Sequence, residues 1–137
     1  MTCHTDPDAP ETDDLRRTRR GLAGLVTFMT VLHLAKPEMF LPMVPRWLPG
    51  DRERLHDAAT LAEGISAALL WSRRTRRLGG AAAAATFVAV FPANIDAAVR
   101  GGYRGTPGWL STRAAAIARL PVQLPLVWWA VRVMRGR

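Results

Sequence analysis

Four apolar runs, each bounded by arginines or by turn-forming residues, constrain this chain more than any other feature. "GLAGLVTFMTVLHLA" (21–35) follows "RRTRR", and "AATLAEGISAALLW" (58–71) leads into "SRRTRR". "LGGAAAAATFVAVFPANIDAAV" (78–99) and "AAAIARLPVQLPLVWWAVRV" (114–133) complete the set. Hydrophobic residues make up 49% of the 137, yet mean hydropathy is only +0.02. Apolar and charged segments must therefore alternate along the chain, a pattern of multi-pass membrane proteins. The length accommodates one domain.

The formal charge of +8 raises the alternative of nucleic-acid binding. The basic residues, however, stand at the ends of apolar runs and do not interleave with aromatics along one face, so nucleic acid is not an expected partner. Cys3 is a lone cysteine, and no disulfide can form within the chain. His4, His33 and His56 lack metal-ligand spacing, so neither metal nor haem is expected from the chain itself.

The acidic, Pro-containing stretch 1–14 buries too little to offset its ordering entropy. Residues 1–20 are accordingly expected to be a disordered cytoplasmic leader ending in a basic cluster. "TRRGL" has the look of a twin-arginine export signal, but no small-residue cleavage site closes the run, and an uncleaved first span is expected.

The expected fold is all-α: an integral membrane four-helix bundle over 21–137, with spans at about 21–35, 57–71, 78–99 and 114–133. The first two are short. Fifteen residues cover roughly 22 Å against a hydrocarbon core of roughly 30 Å. Helix extension into flanking residues, or capping by "KPEMFLPMVPRWLPGDRER" (36–54), would complete the crossing. Pro37, Pro42, Pro45 and Pro49 exclude a regular helix there. Phe40, Met43, Val44, Trp47 and Leu48 suit a lipid–water boundary. The clusters at Arg16–Arg20, Arg73–Arg77 and Arg132–Arg137 share one side, which the positive-inside rule makes cytoplasmic, with both termini. The expected location is a bacterial inner membrane.

His33, Glu63, Asn94, Asp96, Arg119 and Gln123 all fall in the outer half of these spans. Glu63 and Arg119 should face the interior, because either alone in lipid costs about 2.5–3.5 kcal/mol; a mutual ion pair would relieve both. Asn94 and Gln123 can hydrogen-bond between helices, and Asp96 can mark the exit to water. Pro92, after Phe91, lacks an N–H and frees the carbonyl of Val88, for which Arg119, Gln123 or the Asn94 amide is a donor. Pro121 and Pro125 act alike in the fourth run. Gly64 with Ala68, and Gly80 with Ala84, have the small-xxx-small spacing of closely approaching helices.

"LHLAKPEMFLPMVPRWLP", Glu63, "TRRLGG", "VFPANIDAAV" and "RLPVQLPLVWWA" together resemble the DoxX-like family of small bacterial membrane proteins, over about residues 22–133. The resemblance implies a four-span bundle, and membrane redox or sulfur metabolism through quinone-linked oxidoreductases. The family-like positions are His33, Pro37, Pro45, Pro49, Glu63, Pro92, Asn94, Arg119 and Gln123. Ala59-Thr60 departs from the Ser-Gly frequent in such relatives.

Three functions compete. The polar cluster can hydrogen-bond a quinone carbonyl, making the chain an accessory subunit that takes electrons from a soluble or membrane partner, not an enzyme by itself. It can relay protons or a solute through Glu63 and His33, although the inner half offers few polar side chains, Ser66 and Thr86 among them. Or it only fixes helix register in a structural or interaction protein, alone or as a homo-oligomer.

Overall fold

The computed structural model describes residues 10–106 and 108–137. The described residues form five α-helices and no strand: α1 (Asp13–Ala35), α2 (Pro37–Phe40), α3 (Arg52–Trp71), α4 (Arg76–Arg100) and α5 (Arg113–Arg135). Short 3-10 turns cover Leu41–Met43 and Gly108–Ser111.

The first two long helices start earlier than the apolar runs suggest. Thr12 caps α1 by accepting from the Leu15 amide, and Asp13 and Asp14 complement the positive helix terminus. The "TDD" of the acidic stretch is thus a start signal, and the leader expected over 1–20 gives way to helix at Asp13; residues 1–9 lie outside the described residues. Asp51 caps α3 in the same way, accepting from the Glu53 amide. At 23 and 20 residues, α1 and α3 reach roughly 34 and 30 Å. Both helices thus extend well beyond the apolar runs into flanking residues. α4 and α5 are long and apolar enough to cross a bilayer. α1 and α3 do not meet the same standard, because the residues that lengthen them are charged. Two candidate spans therefore replace the four expected.

The long helices pack in the cyclic order α1, α3, α4, α5, with α1 touching α5 to close the ring. Leu22, Ala23 and Val26 of α1, Ala67 and Leu70 of α3, Ala83 and Phe87 of α4, and Ala130 and Val133 of α5 form the main core at the arginine-rich end. Ala97, Ala98, Tyr103 and Ala116 form a smaller core toward the far end. Gly80 sets the α4–α5 distance: a Cβ there would lie 2.7 Å from the Met134 nitrogen and 2.8 Å from the Ala130 oxygen. The Gly80 expectation of close approach holds, whereas Gly64 has only an ordinary 3.4 Å approach to Thr30.

The arginine clusters also close helix ends. Arg19, 5% exposed, donates to the carbonyls of Leu70 and Trp71 at the end of α3 (2.8 and 2.7 Å) and to both carboxylate oxygens of Glu11. Thr75 donates to the Leu69 carbonyl, and Arg76 to that of Val133 near the end of α5. The α3 carbonyls lie in the last turn, where no intrahelical donor remains, and the side chains supply one; the Val133 carbonyl also accepts from the capping Gly136 amide. Arg19 in turn holds the Glu11 carboxyl below its ordinary range, chiefly through their hydrogen bonds.

Candidate functional site

On α3, His56, Thr60 and Glu63 recur at spacings of four and three, which places them on one face. That face meets His33 near the end of α1. The His33 Nδ1 lies 3.6 Å from Glu63 Oε2 and 3.5 Å from Thr60 Oγ1. The Phe40 ring packs tilted against His33 at 3.8 Å between centroids, and His56 stacks on the same His33 ring at 5.6 Å. Phe40 is therefore buried under the histidines and not at a lipid boundary. The reason is local: Pro37 opens the one-turn α2 directly after α1, and the reversal folds Phe40 back over His33.

Glu63 also borders a cavity of about 390 Å³. Leu25, Val26, Met29, Phe87, Val90, Val122 and Leu126 make most of its wall; Glu63, Arg119 and Gln123 are its polar members. The expected Glu63–Arg119 ion pair is not formed. α3 and α5 lie diagonally across the ring, so the two groups face the cavity from different helices. Glu63 Oε2 is buried and makes no hydrogen bond among the described residues. Among the described residues Arg119 forms neither hydrogen bond nor ion pair, and its guanidinium lies 5.9 Å from the Tyr103 ring centroid.

Behind Gln123 runs a closed polar chain. The Tyr103 hydroxyl donates to Asn94 Oδ1 (2.7 Å), Asn94 Nδ2 to Gln123 Oε1 (3.2 Å), and Gln123 Nε2 to the Phe87 carbonyl (2.6 Å). The donor expected at the Val88 carbonyl is thus one residue displaced. Helix α4 continues through Pro92, whose ring is exposed, so the freed Val88 carbonyl lies away from the interior where Gln123 sits. Pro121 and Pro125 are likewise exposed along an uninterrupted α5. Phe91 is half-buried; Pro45 is buried, and Pro49 is exposed in the turn before α3.

The five expected polar residues therefore divide by helix. Glu63, Arg119 and Gln123 share the cavity, His33 stands behind Glu63, and Asn94 behind Gln123. Asp96 bonds Arg100 at 2.8 Å and Trp47 at 3.1 Å, tying the Pro-rich segment to α4. His56, Thr60 and Tyr103 were missed. The spacing from Glu63 could have found the first two; Tyr103 is brought in by a loop with no periodic signal. Among the described residues, no cluster of His, Cys, Asp and Glu could hold a metal ion.

The model of a domain of unknown function, DUF8561, matches residues 22–134. The chain belongs to the DUF8561 family. That match overturns the DoxX-like resemblance, since DUF8561 is the family found over the same segment and no DoxX match is found. The shared motifs have a local physical basis in this DUF8561 fold: the Pro-rich run reverses the chain over His33, and Asn94 and Gln123 bond each other. No curated protein and no solved structure matches the chain.

Val122, on the α5 wall of the cavity, is exposed, and α1 contributes the facing Leu25, Val26 and Met29. Toward the arginine-rich end these helices are joined: Trp129 Nε1 donates to the Thr18 carbonyl at 2.9 Å, and Arg132 pairs with Asp14 at 2.7 Å. Beyond that joint, Leu25 and Met29 on one side and Val122 and Leu126 on the other line the cavity.

Proposed function

We propose that the chain is a multi-pass protein of the bacterial inner membrane that binds a lipid-soluble, carbonyl-bearing ligand of the quinone type. All four long helices cross the bilayer in this reading, and the arginine-rich end with both termini is cytoplasmic. Only 28% and 17% of the apolar windows of α4 and α5 are buried, whereas the core helix of a water-soluble protein would be mostly covered. Phe28, Val31 and Leu34 on α1, and Leu61 and Ile65 on α3, are exposed as well, so the apolar surface continues around the ring.

The observation that carries the ligand reading is the unbridged pair of Glu63 and Arg119 in a cavity otherwise walled by apolar side chains. A ligand carbonyl can accept from Arg119, and a hydroxyl of the reduced form can donate to Glu63. The volume falls within the ordinary range of small-molecule sites, and the exposed Val122 on its wall is the side from which a lipid-soluble ligand would enter in this reading. In this reading electrons would come from a partner subunit.

Calorimetric titration of a short-chain ubiquinone into the protein in nanodiscs tests this. Saturable binding that Arg119→Leu abolishes is expected; heats matching empty nanodiscs would sink the reading. A second reading is a structural or interaction protein, favoured by the closed Asn94–Gln123–Tyr103 chain, which needs no ligand. A proton conduit has less support: the hydroxyls of Ser66 and Thr86 are already bonded to carbonyls of their own helices.

A further inference from the structure

At the far end, a second pocket of about 120 Å³ opens between the Pro-rich segment, the last turns of α4 and the loop after it. Its charged lining is Arg46, Arg52, Arg100, Arg104 and Asp96. Four guanidiniums face one carboxylate, and Asp96 Oδ1 is already shared by Arg100 and Trp47. Arg46 and Arg104 have no hydrogen bond or ion pair among the described residues. Arg52 is spent only in part: one terminal nitrogen donates to the carbonyls of Leu41 and Val44, while its Nε is buried without a partner.

We infer that this pocket binds one phosphate group. A cluster of partly unsatisfied guanidiniums calls for a ligand that only accepts hydrogen bonds and offers several oxygens at once, which is what a tetrahedral oxyanion provides. The volume suits a single such group and not a large headgroup.

The loop that carries Arg104 is held in place. Tyr103 is buried and anchored to Asn94, and the Thr106 hydroxyl donates back to the Tyr103 carbonyl at 2.7 Å. Gly102 has φ of +126°, and a Cβ there would collide with the Ser111 carbonyl. Topology does not account for these arginines, because the charge bias that orients the chain favours basic residues at the opposite end. The phosphate belongs to a lipid headgroup or to a free phosphate in solution. The lipid source rests on the membrane reading, and neither source depends on what occupies the cavity at Glu63.

The experiment is native mass spectrometry and calorimetry of the purified protein in a phosphate-free maltoside detergent, titrated separately with inorganic phosphate and with phosphatidylglycerol. One phosphate-bearing molecule per chain is expected. Arg46→Gln with Arg104→Gln should weaken it by about tenfold or more, the loss of a charge-assisted hydrogen bond. Arg113→Gln, at the same end but outside the pocket, should leave it unchanged. Both altered arginines are exposed, so helix content should not move. Binding of the lipid without competition from inorganic phosphate assigns the headgroup; competition by inorganic phosphate assigns the free ion. Absence of both, or equal binding by the double variant, overturns the inference.

Discussion

Replacing Arg19 by Met should damage this fold more than any other change among its many arginines. The substitution removes two hydrogen bonds to the α3 carbonyls of Leu70 and Trp71 and two to Glu11, at 2.7–3.0 Å. It also leaves the Glu11 side chain, 7% exposed, without its cation. Breaking a buried pair from one side costs about 3–5 kcal/mol. Adding Glu11→Gln removes the stranded charge and should recover part of the loss, leaving about 1–3 kcal/mol for the unmet carbonyls. Arg17, exposed one position from a half-buried Thr18, is the control; Arg17→Met should stay within about 0.5 kcal/mol. Denaturant unfolding in detergent micelles, followed by far-UV circular dichroism, reads all four proteins. If Arg19→Met unfolds at the same midpoint as Arg17→Met, the arginine cluster serves topology alone and the capping argument fails.

Four further outcomes are expected. The Glu11 carboxyl is held below its ordinary value of 4.5 by Arg19; its contribution to stability is full above that value and fades as pH falls through the lower folded one, so Glu11→Gln should flatten the acid limb of a stability–pH profile. Gly24→Ala should be neutral or stabilising by about 0.5–1 kcal/mol, since nothing lies within 4 Å of the added Cβ. Gly80→Ala should destabilise by about 1–3 kcal/mol against the α5 backbone, and equal midpoints for the two would refute the close approach. Tyr103 is the one tyrosine of the chain, and burial pushes its phenol above the ordinary 10.0. Its phenolate absorbance should therefore appear later than that of a free tyrosine, with the associated stability lost as pH rises through the folded value; titration at the ordinary value would contradict its burial.

Helix existence was legible in the sequence, because apolar periodicity and arginine boundaries report it directly. Helix starts were less so. Thr12 and Asp51 sit in stretches whose composition reads as leader or loop, and a single capping side chain decides the boundary there. The polar residues were legible one by one, since each is costly in an apolar run. Their partners were not. Whether Glu63 meets Arg119 or His33 depends on the cyclic order of helices, and linear spacing does not encode that order. Residue type alone places Phe40 at the boundary, whereas the one-turn reversal at Pro37 turns it inward. Arg19 reads as one more positive-inside residue until the end of α3 is placed beside it.

The closure of the ring by α5 has a consequence for synthesis. As the chain emerges from its N-terminus, α1, α3 and α4 are complete while Gln123 is still unmade. During that interval Asn94 lacks its amide acceptor, and the groove that becomes the Glu63 cavity has no fourth wall. The last helix thus brings the Gln123 partner, the Arg119 charge and the Asp14–Arg132 latch together. A chain cut before α5 would present to quality-control proteases an open groove with Glu63 exposed on its wall.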